Sequence, residues 1–218
     1  MGEAEILFDK QEIIIHSIFI IYGDAATESL AHQIAADTAL AWNEPNATVF
    51  IHKVAYRVKF HINAIYNPHL TELEVISNTD PRLNFFRIEE YADGNISYVD
   101  AVNSNTGYFL LANLVHPSTT AAHEYGHTLG LHHPLELDIR GEGTPGIMYP
   151  RGTLVDPHFQ YDPAVASGTK GGTLNPVNRK VTQYDIDLLE IPELEFNKKG
   201  IAVIGEFSSV WHDKQMPA

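Results

Sequence analysis

The chain contains no cysteine among its 218 residues. That excludes disulfides, thiolate-ligated zinc and a thiol nucleophile. Positive charge is scarce: 14 Lys and Arg face 28 Asp and Glu, a formal charge of −14. Phosphate recognition needs clustered cations, so nucleic acid is excluded as the expected partner. No apolar run is long enough to span a bilayer. The longest, Ile13 to Tyr22, is about half the required length and is interrupted by His16 and Ser17. Its leading flank carries Glu3, Glu5, Asp9 and Glu12 rather than the basic region of a signal peptide. Internal repeats and low-complexity tracts are also lacking. Against these absences stand 44% hydrophobic and 10% aromatic residues, enough to bury an ordinary core.

Ile13 to Tyr22 reads as a buried strand ending at Gly23-Asp24. Leu30, Ile34, Ala41 and Trp42 fall at helical spacing, predicting a helix over 25–43 that Asp24 or Thr27 caps and Glu44-Pro45-Asn46 ends. One or two strands are expected over 49–65, with further strands at 85–91, 96–102 and 107–112. A helix capped by Ser118 runs to Leu129. Residues 132–180 are loop-rich in Gly and Pro, and a last helix is expected over 181–189. The stretch 191–218 has strand-like pieces without an evident position.

Chemistry concentrates in 118–133, Ser-Thr-Thr-Ala-Ala-His-Glu-Tyr-Gly-His-Thr-Leu-Gly-Leu-His-His. His123 and His127 lie four apart on the predicted helix, so both imidazoles occupy one face, a turn apart. Gly130 suits a left-handed turn that stops the helix and returns the chain. His133 is then the third ligand. Its neighbour His132 is the alternative, and the spacing from Gly130 favours His133. Three neutral imidazoles leave one coordination position open, as in catalytic zinc sites. Glu124 is placed to act as general base. A chance match to all five positions in this composition is on the order of one in ten thousand, which sets the pattern above an amphipathic helix with surface histidines.

The stretch His123 to His133 resembles the extended zinc signature of the metzincin metallopeptidases, and Gly146-Ile147-Met148-Tyr149-Pro150 is similar to that family's methionine-bearing turn. Pro134 after the third histidine is similar to serralysins, and Ile-Met-Tyr-Pro to matrixins. Serralysins and astacins carry a Tyr two residues after the Met. Here that position is Pro150, so no tyrosine ligand is assigned. Glycine-rich calcium repeats and a cysteine-switch propeptide are lacking.

The resemblance implies an α+β, zincin-like catalytic domain over 1–218. Its elements would be a twisted, mostly parallel five-stranded sheet with an antiparallel edge strand, an active-site helix, and an irregular C-terminal subdomain ending in a helix. The divisions are 1–133, 134–190 carrying the methionine turn, and a 191–218 extension. One catalytic Zn²⁺ is implied on His123, His127 and His133, with Met148 as an apolar floor beneath it. The implied activity is a zinc endopeptidase, secreted or exported, that cuts protein or peptide substrates with water activated by zinc and Glu124. Tyr149 and Tyr161 are candidate oxyanion donors. Arg151 is a candidate wall of the primed-side pocket, favouring an acidic side chain. The strand 96–102 is the expected rim, able to take an extended peptide by strand addition, and the 151–179 loop is expected to shape specificity. Asp138, Glu142, Asp156 and Asp162 offer oxygens for calcium without the spacing of a known loop. The remaining histidines (16, 32, 52, 61, 69, 116, 158 and 212) show no ligand spacing. Two further readings are an injected toxin or effector protease with a narrow substrate, and a metal-holding peptide-binding module that no longer cuts. Retention of Glu124 speaks against the last.

Overall fold

A computed structural model describes residues 1–115 and 117–217; His116 lies outside the described residues. The elements run β1 (Gly2–Leu7), β2 (Glu12–Tyr22), α1 (Glu28–Asn43), β3 (Thr48–Ile51), β4 (Val54–Tyr66), α2 (Glu72–Ile76), β5 (Leu83–Glu89), β6 (Tyr98–Val99), β7 (Thr106–Leu110), α3 (Thr120–Thr128), α4 (Gln183–Asp187) and β8 (Ile201–Ile204). Short 3-10 turns punctuate the connections. Among the described residues, no helix is long and apolar enough to cross a membrane.

The fold is α+β around a mixed sheet ordered β3-β4-β2-β5-β7-β6. The inner strands β4, β2, β5 and β7 are parallel, and β3 and β6 close the ends antiparallel. The sheet is larger and more mixed than the expected five strands. β1 pairs antiparallel with the first half of β2, and β8 pairs antiparallel with β1. β2 therefore shares one side between β1, through Glu12 to His16, and β5, through Ile18 to Tyr22. Its sequence matches this arrangement. The first half alternates buried Ile13 and Ile15 with half-buried neighbours, and the stretch from Phe19 to Tyr22 is buried on both faces.

Helix α1 buries Ala31, Ile34, Ala35, Thr38 and Trp42, one stripe at helical period. Thr27 caps it, its Oγ1 accepting the Leu30 N–H at 3.1 Å. The stripe carries α1 onto β4 and α3. The main core runs through all parts of the chain, from Ile13 and Phe19 to Ile147, Ile186 and Ile204. A satellite of Ile139, Val155 and Leu174 holds the loop-rich stretch together.

The strand expected over 96–102 pairs only at Tyr98 and Val99, and the helix expected over 181–189 spans only Gln183–Asp187. α2 had no counterpart in the sequence reading.

Candidate metal centre

Helix α3 is anchored before it offers any ligand. Tyr125 is fully buried among Phe19, Trp42 and Phe60, and its hydroxyl lies 2.7 Å from the Ser17 hydroxyl on β2. Trp42 Nε1 donates to the Ala122 carbonyl at 3.0 Å, tying α1 to α3. The cap position falls on Thr119, whose side chain makes no capping bond, rather than on Ser118; the Ser118 hydroxyl accepts the N–H of Thr120, the first helical residue, at 3.1 Å. With Ala121, Ala122, Tyr125 and Leu129 facing the core, His123, Glu124 and His127 line a cleft of about 520 Å³.

The chain reverses at Gly130, whose φ is +103°. A Cβ there would meet Asn103 Oδ1 at 2.6 Å, so glycine is required by both conformation and space. The reversal brings the Leu131 carbonyl to His127, which donates from Nδ1 at 2.7 Å. His123 donates from Nδ1 to the Ile147 carbonyl of the methionine turn at 2.8 Å. A carbonyl can only accept, so both rings carry their proton on Nδ1 and leave Nε2 bare. The two Nε2 atoms lie 3.0 and 3.1 Å from His133 Nε2. Imidazole nitrogens about 2.0–2.1 Å from a tetrahedral zinc are about 3.3 Å apart, so this donor set fits a single small divalent ion. It is also the one group of three or more potential ligands among the described residues. His132 flanks the site without joining it.

Electrostatics agree with that fit. Burial, then the Arg179 charge, holds the His123 pKa well below the usual imidazole value; burial lowers His127 to about 4 and also lowers His133. Three neutral rings are the form a cation needs. Burial pushes the Glu124 carboxyl up to about 8, opposed by the Arg179 charge and the Val99 backbone N–H. A bound divalent cation would act against that rise, since it stabilises a nearby carboxylate.

Met148 is 2% exposed and sits against α3 at Gly126, where a Cβ would come within 2.4 Å of its sulfur. The glycine of the His-Glu-Tyr-Gly-His run thus makes room for the methionine, a reason invisible in the motif alone. Arg151 is exposed at the cleft wall and donates to Asn113 Oδ1 at 2.7 Å. Tyr149 lines a neighbouring cavity of about 300 Å³ behind His133 and Met148, not the cleft itself. Tyr161 is 48% exposed and does not line the cleft. Tyr98 and Val99 form the opposite rim, where the edge strand was expected.

Three of the four acidic residues that offered oxygens for calcium have local uses. Asp138 pairs with Arg140, Asp156 accepts the Gly141 N–H, and Asp162 accepts the Ala164 N–H. The sequence reading missed Arg179. It is 6% exposed, lines the cleft, and reaches the site from a loop with no motif of its own.

No protein-family model and no curated protein matches this chain. Among solved structures, a chain from a structure of a chaperone–substrate complex is similar at 15% identity and a TM-score of 0.42. The alignment covers 84% of this chain and 35% of that one. Such a likeness carries no weight for fold or function.

Proposed function

We propose that this chain is a zinc-dependent endopeptidase of the metzincin type. The observation that carries the reading is the convergence of three Nε2 atoms, two of them bare because backbone carbonyls hold the ring proton on Nδ1, beside a buried carboxylate in one open cleft. The order of the zinc-binding helix, its glycine stop and the methionine turn supports the finer family assignment.

In this reading His123, His127 and His133 hold the ion. Bound there, it supplies Lewis acidity, polarising an amide carbonyl and making water more acidic. Glu124 takes one proton from the attacking water as the carbon–oxygen bond forms. It then returns that proton to the amine nitrogen as the carbon–nitrogen bond breaks, so hydrolysis consumes one water and leaves Glu124 unchanged. The rim at Tyr98 and Val99 would align an extended peptide by backbone hydrogen bonds, and Met148 keeps the helix face beneath the ligands dry.

The test pairs metal analysis with cleavage of a protein such as casein. Wild-type protein is expected to carry about one zinc per chain and to lose activity to a chelator. Glu124→Ala is expected to retain the zinc and lose at least about a hundredfold in rate. A Glu124→Ala protein that cleaves as fast as wild type would end the proposal.

A further inference from the structure

Arg179 is the buried charged group of the cleft that hydrolysis does not use. Two of its nitrogens are committed: Nε donates to Thr119 Oγ1 at 3.0 Å and Nη1 to the Tyr149 carbonyl at 3.2 Å. These contacts clamp the guanidinium between the start of α3 and the methionine turn. Its hydrogen bonds among the described residues use Nε and Nη1, which leaves Nη2 without a partner there. A buried cation with no carboxylate bonded to it is costly to keep. Glu124 is near enough to feel it but is not bonded to it. Arg151 adds a second positive charge at the same wall. Two arginines thus face one carboxylate in the cleft of a chain whose net charge is −14. The backbone fixes this arrangement. Asn175 caps a 3-10 turn through Pro176, the Thr119 hydroxyl donates to the Pro176 carbonyl at 2.6 Å, and Lys180 N–H bonds to the Pro145 carbonyl at 2.9 Å.

We infer that Arg179, assisted by Arg151, is a specificity determinant that receives a carboxylate of the substrate, so the preferred substrate is a peptide acidic beside the scissile bond. A rigid guanidinium with an uncommitted amino group suits a carboxylate better than a carbonyl, because charge-assisted hydrogen bonds are about twice as strong as neutral ones. The substrate class rests on the peptidase reading; the charge preference rests on Arg179 itself. An acidic side chain and a free C-terminal carboxylate present the same group, and the experiment separates them.

The probes are peptide pairs differing only by Glu and Gln at each position flanking the cleaved bond, each made with an amidated and a free C-terminus. Turnover is measured on the zinc-loaded chain, and binding by calorimetry on zinc-loaded Glu124→Gln. One position is expected to favour Glu by about tenfold in both kcat/KM and Kd. Arg179→Gln should bring that ratio near one, Arg179→Lys should keep part of it, and Arg151→Gln should reduce it. If the preference attaches to the free terminus instead, the acceptor is a C-terminal carboxylate and the cleavage is exopeptidic. Equal handling of Glu and Gln everywhere, or an Arg179→Gln variant that depresses both peptides alike, overturns the inference. Charge-selective binding without turnover sinks the peptidase reading and spares this one; turnover without charge selection does the reverse.

Discussion

At the scale of single residues, the three-histidine cluster was legible because each member answers to a local rule. Four-residue spacing aligns His123 and His127, and a glycine is the residue that tolerates the turn before His133. The structure adds that Gly130 has both a positive φ and Asn103 against it. Gly130→Ala should therefore destabilise the fold by about 1–3 kcal/mol. It should weaken zinc binding further, because the turn presents both His133 and the Leu131 carbonyl that orients His127. Chemical denaturation with and without zinc checks both parts; a variant with unchanged zinc affinity refutes the coupling. Arg179 was illegible for the opposite reason. No spacing rule links a loop arginine to a helix some fifty positions earlier, and its role depends on Thr119 and Tyr149, contacts only folding creates. The histidines also set a pH dependence in the metal-stripped protein. Burial lowers the folded-state pKa of His127 from 6.5 to about 4. The unfolded chain then binds more protons as pH falls through that window, so stability present above pH 6.5 is lost towards pH 4. Urea titrations at intervals across it should show the loss, and His127→Gln should show a smaller one. An identical slope in the variant would discount His127 as a contributor.

At the scale of elements, strong periodicity was readable and weak pairing was not. β2 and α1 announced themselves through a long β-branched run and a helical stripe. β1 alternates as clearly, with Gly2, Ala4 and Ile6 inward and Glu3, Glu5 and Leu7 half-buried, but it is short and its acids read as a charged flank. β8 looked like a strand, yet its partner lies some two hundred residues earlier, and sequence carries no signal for such a pairing. α2 is five residues long, below what periodicity can detect, although its Thr71/Glu74 capping box is present in the sequence. The element that matters most, α3, is placed by the contact of its Tyr125 with Trp42 of α1 rather than by the periodicity of its own nine residues. Trp42→Ala should cost about 3–5 kcal/mol and loosen zinc as α3 loses its brace. Should thermal unfolding show that cost while zinc affinity stays at the wild-type value, α3 holds its ligands without α1.

At the scale of the whole molecule, the segment after β8 proves to be a brace for the cleft rim, a position that no pattern in its residues announces. Trp211 stacks on Tyr22 with ring centroids 5.2 Å apart, and His212 Nε2 approaches the Asp100 carboxylate at 3.1 Å. Gln215 Nε2 donates to the Tyr98 hydroxyl, and the Gln215 N–H donates to the Tyr108 hydroxyl, each at 3.1 Å. The final residues therefore clasp β6 and β7 from outside while Tyr98 faces the cleft. The edge strand has only two paired residues, too few to hold a rim against a bound peptide on ladder bonds alone. Removing residues 207–218 should leave the histidine cluster in place, since its ligands and their carbonyl partners all lie between His123 and Ile147. The truncated protein should bind zinc about as well as the intact chain, within roughly threefold. Amide exchange should speed up at Ile96 to Val99, and, on the proposed peptidase reading, KM for peptides should rise more than kcat falls, because a peptide would lose its alignment while Glu124 and the histidines stay in place. A fall in kcat at constant KM would instead mean that the brace reaches the metal centre itself.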